Sequence, residues 1–167
     1  MIESLRPAAA VAVCLMAAAL ILLFGNRIHR NLREAITVIA AICAAGLIFS
    51  MAPAVAAGHV YEAHLWQIAE GIKLSFRTDA AGMVFACIAS FLWILTSVYS
   101  IGYMRGHHEK NQTGYFAAFA VCVGSALGIA LAAIWMTFFI FYEMLTIATY
   151  PLVAHGRDAT AKSSGRK

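Results

Sequence analysis

Charge is scarce in this sequence: Asp, Glu, Lys and Arg supply only 12% of its 167 residues, about half the share of an ordinary soluble domain. Too few charges remain to cover a water-facing surface, which argues against a soluble single domain. Dense basic runs are also lacking. The formal charge is +4, but the cations are scattered and form no patch suited to phosphate, so nucleic-acid binding is disfavoured. No cysteine forms a CxxC pair or stands near a histidine at ligand spacing, which disfavours zinc and iron–sulfur sites. There is no nucleotide-binding glycine loop, no haem-binding pattern and no nucleophile–base pair. The chain is therefore not expected to be an enzyme with its own substrate pocket, and no cofactor or metal is expected. What abounds is apolar: 62% of the residues, with a mean hydropathy of +0.79.

A spanning helix needs about 20 mostly apolar residues to cross a hydrocarbon core about 30 Å thick. The sequence has room for five, so an all-α membrane protein is expected. The first span runs from Ala8 to Phe24, the second from about Ala35 to Ala57 and the third from about Ala80 to Met104. An apolar tract then extends from Tyr115 to Ala154, interrupted by one charge, Glu143. As a straight helix it would be about 60 Å long, twice the bilayer core. It must fold back, and Trp135 at an interface places the turn near Ala132 to Met136. The first span is read as a retained anchor. It ends in Gly25-Asn26-Arg27-Ile28-His29-Arg30, a stop-transfer flank without a small-x-small cleavage site.

Lys and Arg set the orientation. Nine lie in the connections after spans one and three and in the tail, against three (Arg6, Lys73 and Arg77) on the other side. The excess marks the cytoplasmic face, so the N-terminus is expected outside and the C-terminus inside. The long outer loop, Gly58 to Thr78, contains Ile72-Lys73-Leu74-Ser75-Phe76, which alternates with period two, and Glu70-Gly71 offers a turn. A short β-hairpin fits, and so does an interfacial helix around Tyr61 to Ala69. Cys14, Cys43, Cys87 and Cys122 fall inside spans and read as small packing residues. His107-His108-Glu109 reads as a solvated loop, since adjacent side chains do not converge on one ion. His29, His59 and His64 read as loop or interface residues. Asn111-Gln112-Thr113 matches a glycosylation acceptor but lies on the expected inner side.

Glu143 is the costly residue. It sits about 12 Å from the outer end of the fifth span, near the bilayer centre. A carboxylate there costs on the order of 2.5–3.5 kcal/mol, and such residues mark ion or proton paths. Removal from water favours the protonated form and a nearby cation the ionised form, so a carboxyl balanced between them exchanges protons. Thr146 and Tyr150, at i+3 and i+7, share its helix face and supply hydroxyls, which suggests an inward polar face. Pro151 frees the carbonyl of Ile147 and favours a bend. By this reading every Lys and Arg falls in a loop or tail, and Glu143 is the only ionisable group deep in a span. A buried counter-charge would have to come from another chain.

From Ser75 onward the sequence resembles the antiporter-like subunits of respiratory complex I, Mrp sodium–proton antiporters and membrane-bound hydrogenases. Ser75-Phe76-Arg77-Thr78-Asp79-Ala80-Ala81-Gly82 resembles the start of that family's third helix, and Tyr99-Ser100-Ile101-Gly102-Tyr103-Met104 its inner end. Phe139-Ile140-Phe141-Tyr142-Glu143-Met144-Leu145-Thr146 resembles the fifth helix, continued by Tyr150-Pro151-Leu152-Val153-Ala154-His155. The wording around Glu143 is closest to the Mrp D-type and hydrogenase-type subunits. The resemblance implies a proton-transfer role for Glu143, paired in the family with a lysine on a later, broken helix. Family members carry many more helices, so a split or truncated subunit is expected, with partner membrane subunits supplying the later helices and the lysine. Its domains would be residues 1–78 (two spans and the outer loop), 79–155 (three antiporter-like spans) and 156–167 (a basic cytoplasmic tail). The implied function is that of one membrane component of a proton- or sodium-translocating complex in a bacterial or archaeal cytoplasmic membrane. The alternative is a structural adaptor in such a complex, without its own ion path. Accessibility labelling checks the topology: a reporter after Lys167 is expected in the cytoplasm and a tag before Ile2 outside, whereas both ends on one side would contradict five spans.

Overall fold

The computed structural model describes residues 2–25, 27–69, 72–106 and 112–153. In chain order they form β1 (Ile2–Glu3), α1 (Arg6–Phe24), α2 (Arg30–Ala56), β2 (Tyr61–Ala69), β3 (Ile72–Arg77), α3 (Ala80–Gly106), α4 (Gln112–Ala130) and α5 (Trp135–Val153). α1 to α4 are each long and apolar enough to cross a membrane. α5, also 19 residues, would extend about 28 Å, close to the thickness of the hydrocarbon core. A bilayer offers no water to backbone N–H and C=O groups, so apolar runs of this length satisfy them within helices.

Local chemistry sets the helix ends. Pro7 occupies the first turn of α1, where its missing N–H removes nothing from the ladder. Asp79 caps α3: its Oδ1 accepts from Gly82 N at 2.8 Å, satisfying a donor that the helix itself leaves unpaired. His29 caps α2, its Nδ1 accepting from Asn31 N at 3.3 Å.

α1 packs between α2 and α4, and α3 closes the circuit between α2 and α4, giving a ring of four antiparallel helices. Small residues let the backbones approach, as expected where lipid provides no hydrophobic drive. α1 turns Ala10, Cys14, Ala17 and Ala18 inward. A Cβ on Gly124 of α4 would stand only 2.9 Å from Cys14 Cβ. Outward faces carry large apolar residues such as Phe85, Ile88, Phe91, Leu95 and Val98 on α3. In water such a surface would be an unstable patch; in a bilayer it is the solvated face. Helical content and these faces make the chain a multi-pass membrane protein. α5 lies outside the ring, packed on α4 and β3.

The three strands form one small sheet in the order β1-β2-β3. β1 runs parallel to β2, and β2 and β3 form an antiparallel hairpin with Glu62 opposite Arg77 and Ala63 opposite Phe76. Of the two sequence readings of this loop, the hairpin is therefore the one adopted. It also fixes the α4–α5 turn, which no Gly, Pro or charge marks. Arg77 N donates to Leu131 O at 2.8 Å and Ala133 N to Ser75 O at 3.0 Å. Ser75 N donates to Thr137 Oγ1 in the first turn of α5 at 3.1 Å. Phe76 fills the corner, 1% exposed, with its ring centroid 5.6 Å from that of Phe141. The sheet lies at one end of the bundle, the hairpin end. The starts of α2 and α4 and the ends of α1 and α3 lie at the other, the basic end, named for Arg30, Arg33 and Arg105.

Phe76 links the hairpin, the turn and α5, and Phe→Ala in a packed core costs roughly 3–5 kcal/mol. Phe76→Ala is expected to lower the thermal midpoint in detergent and to expose the hairpin to protease. An unchanged midpoint would contradict this role.

Candidate functional site

The buried side of α5 is short and specific. Thr137, Phe141 and Ala148 face α4 and β3, each under 8% exposed. At 100° per residue these positions fall within a narrow arc. Glu143, Thr146 and Tyr150 fall on the opposite side and are exposed. So is Ile147, at 72%. The sequence expectation that Glu143, Thr146 and Tyr150 share a face agrees with this helix. The expected direction does not: the face points away from every other helix among the described residues. The reason is packing. Phe141, wedged against Phe76 and held where Gly128 of α4 leaves no room for a Cβ, fixes the rotation of α5.

Among the described residues Glu143 makes no hydrogen bond or ion pair. Thr146 Oγ1 donates to Tyr142 O at 3.0 Å, and Thr149 Oγ1 to Thr146 O at 2.8 Å, so both hydroxyls are satisfied within their own helix. α5 runs through Pro151 to Val153 and does not end at it. An aromatic row (Trp135, Phe138 and Tyr142) flanks the exposed face, with successive ring centroids 6.1 and 6.2 Å apart. The site is thus one carboxyl on an apolar and aromatic surface, with no cation on its own helix.

A second polar cluster was not anticipated, and it corrects the reading that every Lys and Arg lies in a loop or tail. α2 begins at Arg30, five residues before the apolar run, so Arg33 and Glu34 belong to it and are buried. Arg33 Nη1 donates to Thr113 Oγ1 at 3.0 Å and Nη2 to Gln112 Oε1 at 2.6 Å. Its guanidinium lies 5.7 Å from the centroid of the Phe116 ring. Gln112 Nε2 in turn donates to Met104 O at 3.2 Å. Glu34 accepts from Arg105 Nε at 3.2 and 3.1 Å and also from its Nη2. Arg105 Nη2 also donates to Asn31 Oδ1 at 2.8 Å. The cluster clasps α2, α3 and α4 together at the basic end. A signal was present: an Arg-Glu pair directly before an apolar run extends the helix if both charges find partners.

Several other sequence candidates disperse. Gln112 and Thr113 are buried in the first turn of α4, bonded to Arg33, while Asn111, His107-His108-Glu109 and the tail from residue 154 lie outside the described residues. His64 Nε2 stands 3.8 Å from Glu62 Oε2 on the hairpin surface. Among the described residues no three His, Cys, Asp or Glu side chains converge on a metal position. The four thiols are free; Cys14 is buried in the ring and Cys43 is exposed on α2.

Comparison with known proteins adds a family context. Residues 66–116, from the hairpin through α3 into α4, match the family model for the N-terminus of chain 5 of NADH-ubiquinone oxidoreductase (complex I). The chain is similar to antiporter and complex I membrane subunits over part of its length. An A/B-type K(+)/H(+) antiporter component of Rhizobium meliloti is 28% identical over 113 residues, covering 64% of this chain and 11% of that protein. Subunit 5 of an NAD(P)H-quinone oxidoreductase of Paulinella chromatophora is 27% identical over 82 residues, covering 49% and 12%. The A1 component of a Na(+)/H(+) antiporter of Staphylococcus aureus is 25% identical over 101 residues, covering 60% and 12%. The chain therefore spans about an eighth or less of the length of these relatives. Both antiporter relatives carry the A designation, in place of the D-type or hydrogenase-type subunit expected from the wording around Glu143. Glu143 itself lies outside the family-model match.

Hydrogen bonds to charged groups contribute roughly 1.5–3 kcal/mol each. Arg33→Ala would leave Gln112 and Thr113 without their donor, and a loss of that order in unfolding free energy is expected in detergent. Arg33→Lys, which keeps the charge but not the fork, should fall between. A silent Arg33→Ala would show that the clasp does not hold the helices.

Proposed function

We propose that this chain is a membrane subunit of a proton- or sodium-translocating complex of the Mrp antiporter or complex I type. In this reading it resides in a bacterial or archaeal cytoplasmic membrane, and Glu143 passes protons to a lysine on a partner chain. The observation that carries the reading is Glu143 on the face of α5 that no helix covers among the described residues. An exposed carboxyl about 12 Å along an apolar helix would meet hydrocarbon, at a cost on the order of 2.5–3.5 kcal/mol. Contact with a cation or with a water-lined partner surface removes that cost. α5 is tied to the ring by one face and to the hairpin by its first turn, leaving the Glu143 side free to form a subunit boundary. The similarity to antiporter and complex I subunits supports ion translocation as the class of activity.

Gln keeps the size and hydrogen-bonding capacity of Glu143 but exchanges no carboxyl proton. In an assembled complex, Glu143→Gln is expected to leave copurification of the subunits intact and to reduce proton or sodium flux in vesicles at least tenfold. Glu143→Asp, one methylene shorter, should retain partial flux. Near wild-type flux in an assembled Glu143→Gln complex would reject the relay and favour a purely structural contact, since a neutral amide still hydrogen-bonds across helices.

A further inference from the structure

The inner face of α3 is polar between Ser90 and Ser100. Ser90, Trp93, Ser97 and Ser100 recur at spacings of three and four, so they share one helix face, and all are buried inside the ring. At the basic end this face joins the clasp: Ser100 Oγ and Tyr115 Oη are 3.1 Å apart, one turn from Gln112 and Thr113. Farther in, the hydrogen bonds stop. Among the described residues Trp93 Nε1, Ser97 Oγ and Ser125 Oγ are buried with no hydrogen-bond partner. Trp93 is 1% exposed and the two serines 0%. Ser125 lies on α4, the neighbour of α3 in the ring. It is thirteen residues from the start of α4, and Trp93 is thirteen from the end of α3. At 1.5 Å per residue both lie about 20 Å from the basic end, and Ser97, nearer the end of α3, about 14 Å, so the three groups fall within about 6 Å along the bundle axis.

We infer that the interior of the α1–α4 ring binds water at the level of Trp93, Ser97 and Ser125, as the inner end of a polar thread that begins at the Arg33–Gln112–Thr113 clasp. A serine can turn its hydroxyl back to its own helix, as Ser90 does toward Cys87 O at 3.2 Å. The rigid indole N–H of Trp93 has no such option and needs an acceptor from elsewhere. Buried polar groups left unpaired are costly, and an internal water typically makes about three hydrogen bonds to such groups. One indole donor and two hydroxyls, each able to donate or accept, provide that number. The site is separate from Glu143, which lies on the far side of α5, and it does not depend on the proton-relay reading.

The test uses the full chain in lipid nanodiscs with Trp66→Phe and Trp135→Phe, so that Trp93 is the sole indole. Ultraviolet resonance Raman spectra then report the hydrogen bonding of its N–H and the exchange of that proton in D2O. The expected result is a hydrogen-bonded indole whose proton exchanges within an hour. Adding Ser97→Ala and Ser125→Ala should shift the band toward the free N–H and slow exchange at least tenfold. A free N–H band in the single-tryptophan chain would overturn the inference. A bonded band with no exchange would also overturn it, by placing a protein carbonyl as the acceptor. The exchange measurement needs no serine variant, so it decides the matter even if the double alanine chain fails to fold.

Discussion

A carboxyl group in a hydrocarbon layer must be neutral, paired or wetted, and the rest of this architecture determines which of these is open to Glu143. The ring of α1 to α4 is closed, and its interior is lined by small Ala, Cys, Gly and Ser residues and by Trp93. α5 can only pack outside it. Once Phe141 is wedged between Gly128 and Phe76, the rotation of α5 is set, and Glu143 is carried to the side facing away from the α1–α4 ring. The hairpin reinforces this through backbone bonds to residues 131 and 133 and through the hydroxyl of Thr137. The position of one acid thus follows from aromatic and glycine packing around Phe141, about half a turn away from it.

The two ends of the bundle are secured by different chemistry. At the hairpin end, strand pairing and Phe76 lock the α4–α5 turn. At the basic end, side chains do the work: Arg33 reaches α4 and Arg105 reaches α2, with Glu34 and Gln112 as acceptors. Charges are tolerated there because each of those side chains is hydrogen-bonded and because the ends of spanning helices lie near the water interface, where a charge costs less than at mid-membrane. Glu143 has neither advantage within the described residues. This contrast is what supports the proposal of an external partner for Glu143.

Much of the fold was legible from the sequence. Apolar run lengths gave the helices, a 40-residue tract too long for one crossing gave the α4–α5 turn, and period-two alternation gave β3. The start of α2 was not legible in the same way, because Arg33 and Glu34 look like loop residues until their partners at Gln112, Thr113 and Arg105, some 70 to 80 positions away, are known. The face shared by Glu143, Thr146 and Tyr150 followed from helical spacing alone. Its direction did not, because spacing says which residues share a side and not what that side meets. The polar face of α3 escaped notice for a related reason: isolated serines in an apolar run carry no signal until burial shows that all of them point inward.

The central claim is that the Glu143 side of α5 is a boundary with a cation-bearing partner. The most direct measurement replaces Ile147, one turn from Glu143 and 72% exposed, with the photocrosslinking residue benzoylphenylalanine in the intact membrane complex. Adducts mapped by mass spectrometry are predicted to fall on a partner membrane helix within about one turn of an intramembrane lysine. Adducts with lipid alone, or with a partner helix that carries no lysine in its membrane segment, would contradict the account.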